Sequence, residues 1–435
     1  MKIKFIALAL AAFGAQSAFA LDALVTKSIQ DGTLANSHVV YLSGASALKA
    51  SVPLALAKLC SDSVTAFTYA SDASNVRAYS CTIKSTAALA AEGITGLDGW
   101  ATHKLLLGLS VQNGSLTAIL SQDTAAANQN QQVDFSSVTT AATSSVTTAF
   151  KKQTIGGFLD VNPELFSTVL AGYPSLSVSY ATTPVAAGQS FGIAVSPSLY
   201  TALQTAQGIT GCTNNLSPAC QPSISKGQYA SLIASVNAGY ISDWSVLGLS
   251  DAKAVNICRR VSTSGTQAAS NNYFLGKGCS FGGQDPSSLA DSSAGVYNVS
   301  EGSGTGNAVT CLSDATNFAI GVLSAENASA SSVWRFVKLD GVPVYDGVKA
   351  RQTSIDQKYD FSYEFVYVTR NSASAVEKSL LAALGTAVSD PTITDLVGIY
   401  VAPGNVAGKV NADLPLQVAK ATRGGNVCQP SLYAF

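Results

Sequence analysis

The stretch Arg259 to Phe274, RRVSTSGTQAASNNYF, joins the end of a strand-like run, AVNICRR, to a helical pattern, QAASNNYFL, through a Ser264-Gly265-Thr266 turn. A helix N-terminus presents unpaired N–H groups and the positive end of a dipole, so it attracts anions. Arginine adds a rigid fork of donors that matches a tetrahedral oxyanion, and glycine lets the backbone approach it closely. Arg260, Ser264, Gly265 and Thr266 are therefore candidate anion ligands. Neighbouring strand residues face opposite sides, so only one of Arg259 and Arg260 can serve, and the reading assigns Arg260. The plain alternative is a surface arginine beside an ordinary Ser/Thr cap.

The same tripeptide recurs at Ser303 to Thr305, but Val299 stands four residues before that serine, so the second copy lacks the charge. EGSGTG also lacks the lysine of a phosphate-binding loop and an evident preceding strand, and reads as a flexible loop. It closes a Gly/Ser-rich stretch, 281 to 307, that is expected to be one long loop. Ser121 to Phe150 is polar and poor in large apolar groups, and reads as a surface excursion.

Elsewhere strand-like runs alternate with helical ones, the pattern of an α/β chain. HVVYLSGASALKASVPLALAKLC, from His38, reads as strand, small-residue turn and helix ending near Cys60. QTIGGFLDVNPELF repeats the form with Asn162 as N-cap and Pro163 at the first helical position, as does FGIAVSPSLYTAL with Ser196 and Pro197. In SKGQYASLIASVNAG, Tyr229, Leu232, Ile233 and Val236 share a face, Ser225 and Gln228 form a capping box, and Gly239 is the expected stop. NFAIGVL, VWRFVKLDGVPVY with a turn at Asp340-Gly341, and FSYEFVYVTR read as strands, the last followed by the helical AVEKSLLAALGTAV.

The first twenty residues carry two lysines, an apolar run and Ala18-Phe19-Ala20, the pattern of a secretory signal peptide cleaved after Ala20. The apolar run is too short to span a bilayer, and no cysteine follows the cleavage site to carry a lipid. Net charge is −1 and only 12% of residues are charged, which argues against a nucleic-acid partner. Eight cysteines in an exported chain favour disulfides over free thiols. Sequence separation supports only Cys60 to Cys81 and Cys212 to Cys220. With two histidines, His38 and His103, and no C-x-x-C pair, neither a zinc site nor a serine-hydrolase triad is indicated, and both histidines read as structural.

Several segments together resemble the periplasmic phosphate-binding proteins of ABC importers, a class II solute-binding family. RVSTSGTQAASNNYF is similar to that family's R-x-x-x-S-G-T anion turn and helix. SISKGQYASLIASVNAGYISDWSVLG is similar to its helix and G-x-I-x-x-W segment, with Ile241 and Trp244 in register, and NFAIGVL and LDGVPV to its G-x-I-G-Y strand and D-G-x-P turn. The resemblance implies a two-lobed α/β class II periplasmic-binding-protein fold with a ligand cleft between lobes. Residues 21–187 plus 357–435 would form lobe I and 188–356 lobe II. It also implies an exported, periplasmic or secreted monomer that is not an enzyme, binds inorganic phosphate without metal or cofactor, and hands it to an ABC permease. Arg260, Ser264, Gly265 and Thr266 match the anion turn; Ser46 and Ala47 in SGASAL resemble the first-loop donors; Asp160 in GGFLDVNP resembles an aspartate that accepts the phosphate proton, although it could instead cap the helix at Asn162 to Phe166. Ser110 or Ser115 is a further candidate hydroxyl.

Two other functions fit the same residues: a secreted or surface interaction protein with a relaxed or different oxyanion site, and a phosphatase-like enzyme, for which no base or metal ligands are visible. Export itself is directly testable. Intact mass and N-terminal sequencing of the exported protein should give a chain beginning at Leu21; a chain retaining residues 1–20 would overturn the leader assignment.

Overall fold

The computed structural model describes residues 20–212, 217–234, 243–250, 253–279, 297–327, 333–344, 352–393, 398–403, 411–412 and 414–434. The leader, apart from Ala20, lies outside the described residues, as do Val236, Gly239 and Ile241.

The central element is one continuous sheet. In chain order its main strands are β1 (Ser37–Ser43), β2 (Thr65–Tyr69), β3 (Val76–Thr82), β4 (Lys104–Ser110), β5 (Gly156–Leu159), β6 (Tyr180–Val195), β7 (Val255–Arg260), β8 (Tyr297–Gly302), β9 (Ala319–Ser324), β10 (Ser362–Arg370) and β11 (Ile399–Val401). Across the sheet the order is β8-β7-β9-β6-β10-β5-β1-β4-β3-β2, with β11 pairing β6 off this path. At one end β7 runs parallel to β8 and β9; at the other β1 runs parallel to β4 and β5. Each parallel set is completed by an antiparallel strand that arrives from the opposite end: β6 enters beside β9, and β10 beside β5. That exchange, with the first strand of each set lying between the second and third, makes this the two-lobed class II periplasmic-binding-protein fold.

β6 changes partner within its length. Residues 180–190 pair with β10, and Phe191 to Val195 pair with β9, so the strand changes partner at Ser190-Phe191. The crossing is tied locally by Ser190 Oγ to Ser354 Oγ at 2.6 Å and by the Tyr359 hydroxyl, which donates to Phe191 O at 2.6 Å.

Helices cover the faces. In lobe I, α2 (Ser51–Leu59) and α7 (Ala375–Val388) bury Leu56, Leu380 and Leu384 with Leu42 and Leu107 of the sheet. Ser374 and Glu377 form a capping box that starts α7. The opposite face is covered by a helix the sequence reading did not anticipate, α1 (Ala23–Gln30), whose cap Asp22 accepts from Leu24 N and Val25 N at 2.9 Å each. α1 packs with the 121–150 segment, which is therefore not a loose excursion. Its few apolar groups, Val133, Phe135, Val138 and Val146, cluster with Ile29, Phe67 and Leu106, and Phe135 meets Phe67 edge-on at 5.0 Å. Part of its polar surplus is paired, as in Gln132 Nε2 to Leu42 O at 3.1 Å, although Gln122 Oε1 and Gln132 Oε1 are buried without a partner. Composition missed this layer because four well-placed side chains suffice to seal one patch of sheet.

In lobe II, α3 (Pro197–Ala206), α4 (Lys226–Ile233), α5 (Gly265–Leu275) and α6 (Thr305–Leu312) surround β7 and β9. The capping box of α4 forms as read from Ser225 and Gln228, but the helix ends at Ile233, where Ala234 turns extended. The 281–307 reading is corrected: its first sixteen residues lie outside the described residues, while 297–302 is strand β8 and Thr305 begins α6. An edge strand needs one paired side and little apolar content, so β8 leaves a weak sequence signal.

Four disulfides form: Cys60–Cys81 and Cys212–Cys220 as expected, plus Cys258–Cys311, joining β7 to α6, and Cys279–Cys428, joining the segment after α5 to the C-terminal tail. His38 Nε2 and His103 Nδ1 share a hydrogen bond at 2.8 Å beside Trp100, a structural pairing within lobe I.

The N-terminal layer is expected to be part of the cooperative unit. Phe135→Ala should lower unfolding free energy by about 3 kcal/mol, read as a lower urea midpoint with unchanged m-value. An unshifted midpoint would mean that α1 and the 131–146 segment fold independently of the sheet.

Candidate functional site

Ligands in parallel α/β sheets bind beyond the C-terminal strand ends, and here the ends of β1 and β5 face those of β7 and β8. β7 delivers its two arginines to opposite environments. Arg259 turns to the edge and pairs with Glu301 at 2.7 Å, whereas Arg260 is only 3% exposed. Its guanidinium donates through Nε to Gly302 O at 3.3 Å, Nη1 to Thr305 Oγ1 at 2.9 Å and Nη2 to Ser303 O at 3.0 Å. The second Ser-Gly-Thr turn is thus the ordered partner of Arg260 rather than a flexible loop. The parallel register that sets Arg260 beside Gly302 brings both turns side by side. Recurrence of the tripeptide at the ends of two successive strands was the signal available in the sequence.

The first turn is tight, with Ser264 N donating to Val261 O at 2.9 Å. It presses directly on lobe I. A Cβ at Gly265 would collide with the Asp160 carboxylate, and one at Gly114, which has φ +88°, would lie 2.8 Å from Ser264 Cα. Leu116 N donates to Thr263 O at 2.9 Å, and Thr263 Oγ1 to Asn113 O at 2.5 Å. Asp22, Ser196, Ser225 and Ser374 each cap their helices, but the Ser264 side chain makes no cap bond to α5. Ser264 and Thr266 are both buried at this helix start.

Asp160 follows β5 and is 4% exposed. Its N–H donates to Ser115 Oγ at 2.9 Å, which places Ser115, rather than Ser110 on β4, beside the carboxylate. It does not cap the following helical turn, because Asn162 Oδ1 accepts from Glu164 N at 3.1 Å in that role. Asp160 Oδ1 is buried with no hydrogen-bond partner. Burial pushes the Asp160 carboxyl up to about 7, assisted by the Glu326 charge and opposed by Arg260 and a hydrogen bond to Ser115.

Glu326 and Lys49 escaped the sequence reading. Glu326 lies in the turn Ala325–Asn327 after β9 and accepts from Ser324 Oγ at 2.8 Å and from Gln189 Nε2 of the crossing strand. Burial raises its pKa, while the Ser324 hydrogen bond and the Lys49 charge oppose the rise. Lys49 ends the turn Ser46–Lys49 after β1; burial and Arg77 lower its pKa, against Glu326 and Asp72. Neither residue belongs to a local motif, and only folding brings Glu326 near Asp160 and Arg260, and Lys49 near Glu326. In that same turn Ser46 is half-buried and Ala47 packs into the lobe I core; neither hydrogen-bonds Asp160 or Arg260. Two carboxylates and two cations therefore converge on the lobe junction. Among the described residues no group of three His, Cys, Asp or Glu gathers as a metal site, and no helix is long and apolar enough to cross a membrane.

No protein-family model and no curated protein sequence matches the chain. Among solved structures it is similar to a putative phosphate ABC transporter substrate-binding protein with bound phosphate from Clostridium perfringens, at 15% identity and TM-score 0.41, covering 83% of this chain and 99% of that one. A possible phosphate-binding protein from Planctomyces limnophilus matches at 12% identity and TM-score 0.35, covering 83% and 93%. An amino acid ABC transporter substrate-binding protein from Streptococcus pneumoniae, bound to L-arginine, matches at 9% and 0.31, covering 85% and 95%. Likenesses this distant assign no ligand, and the fold assignment rests on strand order and pairing.

The Asp160 environment has a measurable consequence. The folded protein keeps this proton up to about pH 7, whereas the unfolded chain releases it near 3.8. Folding therefore binds a proton within that window, and stability falls as pH rises through it, by on the order of 4 kcal/mol at most. Asp160→Asn has no such loss, so its stability relative to wild type should increase from pH 4 to about 7 and level off above that. Urea midpoints that keep a constant offset across that range would show that Asp160 ionises normally.

Proposed function

We propose that the chain is an exported solute-binding protein that captures hydrogen phosphate between its lobes for an ABC permease. The observation that carries this reading is the buried, partnerless Asp160 oxygen opposite the Arg260 guanidinium, at the start of an eleven-residue helix with no side-chain cap. A dehydrated oxyanion fits that arrangement. Arg260 and the first N–H groups of α5 supply positive potential, and the Ser264 and Thr266 hydroxyls supply further donors. Above about pH 7, where Asp160 is ionised, its carboxylate accepts a hydrogen bond from a protonated anion such as hydrogen phosphate; sulfate has no proton to give and would meet an unpaired negative charge. Ser46 and the Ala47 N–H are proposed to close the shell from lobe I when ligand is present.

Entry requires the lobes to part. The Leu116–Thr263 and Thr263–Asn113 bonds would break, and the two chain crossings, at Ser190-Phe191 and between Ile355 and Ser362, would flex. The proposed lobes are residues 21–187 with 357–435, and 188–356. Four disulfides suit the oxidising compartment that an exported chain reaches. The histidine pair is engaged with Trp100 in lobe I, away from these ligands, which favours binding over hydrolysis.

One observation favours a second reading, an interaction protein with a relaxed or different oxyanion site. Three of the five guanidinium N–H groups of Arg260 are already engaged by the 302–305 turn.

Calorimetry with phosphate and sulfate separates these readings. Wild type should prefer phosphate by at least about a hundredfold, equivalent to about 3 kcal/mol. Asp160→Asn should shrink that preference to less than about tenfold, and Arg260→Ala should abolish binding of both anions. Wild-type protein that ignores phosphate would establish the second reading. An unchanged preference in Asp160→Asn would remove Asp160 from selectivity.

A further inference from the structure

A separate cavity of 590 Å³ lies along the lobe seam, on the outer side of the Val261-Ser262-Thr263 turn. Lobe I lines it with Gln112, Asn113 and the run Asn128 to Gln131, together with Lys151 and Tyr173; lobe II contributes the turn and Glu301. The Thr263 Oγ1 to Asn113 O bond at 2.5 Å and the Leu116 N to Thr263 O bond at 2.9 Å lie between this cavity and the Asp160–Arg260 junction. The volume falls within the range that encloses a small organic ligand rather than a single anion.

The amide side chains are held in fixed orientations from behind. Asn130 Nδ2 donates to Ser43 Oγ at 2.7 Å and to Gln112 O at 2.9 Å, and Asn128 Nδ2 to Asp123 Oδ2 at 2.7 Å. Gln112 Nε2 donates to Asp72 Oδ2 at 2.8 Å, and Gln129 Nε2 to Asp123 O at 2.9 Å. Gln112 and Asn130 have both halves engaged, since Gln112 Oε1 accepts from Gln131 N at 3.2 Å and Asn130 Oδ1 from Asn113 Nδ2 at 3.4 Å, whereas Asn128 and Gln129 are anchored through their nitrogens alone. The acceptors Asn113 Oδ1, Asn128 Oδ1 and Gln129 Oε1, the donor Gln131 Nε2 and the Lys151 ammonium are the groups left for a ligand.

Charge at the cavity is nearly cancelled, since its lining carries one lysine and one glutamate, and Glu301 is already paired with Arg259 at 2.7 Å. An anionic or cationic ligand would gain little there. Amide groups that both donate and accept, held without rotational freedom, match the vicinal hydroxyls of a sugar ring, each of which also donates and accepts. Tyr173 supplies an aromatic surface for the apolar face of such a ring.

We propose that this seam is a second binding site, for a neutral oligosaccharide, built by the Asn/Gln-rich segment 128–131 of lobe I and the 261–263 turn of lobe II. The site does not depend on the anion reading, because it uses neither Asp160 nor the guanidinium of Arg260. It gives the segment inserted between β4 and β5 a function of its own.

The experiment is calorimetry of the full chain in phosphate-free buffer with maltotriose, cellotriose and triacetylchitotriose, followed by a neutral glycan array. At least one of these glycans should bind with a Kd on the order of 100 μM or tighter. Gln129→Ala, outside the apolar cores, and Tyr173→Ala, whose ring also packs against the edge of the main core, should each weaken that binding about tenfold or more, with the unfolding midpoint of Gln129→Ala close to wild type. Asp160→Asn should leave it unchanged while altering anion binding. Absence of binding to all three trisaccharides and to the array would overturn the proposal. So would sugar binding that both cavity variants leave intact.

Discussion

A buried guanidinium cannot be left unsatisfied, and the organisation of the lobe junction follows from how Arg260 is accommodated. Stripping an arginine of water costs several kcal/mol unless its donors and its charge are both answered. Here the donors go to two carbonyls and a hydroxyl of the 302–305 turn, all within lobe II. The charge is answered by Asp160, from the other lobe, and by Glu326. The first set of contacts makes the rim of lobe II rigid; the second makes its electrostatic balance depend on lobe I.

Close approach of the two lobes is permitted by absent side chains. Gly265 and Gly114 face each other's neighbourhoods across the seam, and in both places a methyl group would meet fixed atoms of the opposing lobe. The apolar core continues through the same region: Leu116, Leu159 and Phe166 of lobe I cluster with Phe191, Ala268 and Phe361. The C-terminal tail then straps the junction from the side. Glu364 on β10 accepts from Thr422 Oγ1 at 2.5 Å, Arg423 N at 2.8 Å and Gly425 N at 3.1 Å, and the Arg423 guanidinium lies 4.7 Å from the Tyr363 ring centre. A few residues beyond, Cys428 is bonded to Cys279 of lobe II. Any parting of the lobes must therefore swing about a side that is covalently closed.

Local chemistry in the sequence determined the alternation of strands and helices, most caps, the turn at Ser264 to Thr266 and the opposite facing of Arg259 and Arg260. Each of these depends on residues within about one helical turn of each other, where propensity, capping and strand alternation act directly. The disulfides divide on the same principle. Cys60–Cys81 and Cys212–Cys220 span 21 and 8 residues, while Cys258–Cys311 and Cys279–Cys428 span 53 and 149 and were invisible as pairs.

Only the tertiary structure decided what surrounds Arg260. Strand β8 reads as loop because an edge strand of a lobe needs few apolar residues, so the partner turn of Arg260 was hidden in a Gly/Ser-rich stretch. The 121–150 segment looked polar because its buried set is small, and α1, which it packs against, comes from a separate part of the chain. Lys49 and Glu326 are 277 positions apart in the sequence and meet because β1 and β9 end at the same junction. The sequence by itself thus determined the turn at Ser264 to Thr266 and the burial of Arg260 rather than Arg259. Which groups share a dry, low-dielectric space, and so acquire shifted proton affinities, was decided by long-range strand pairing that no local pattern encodes.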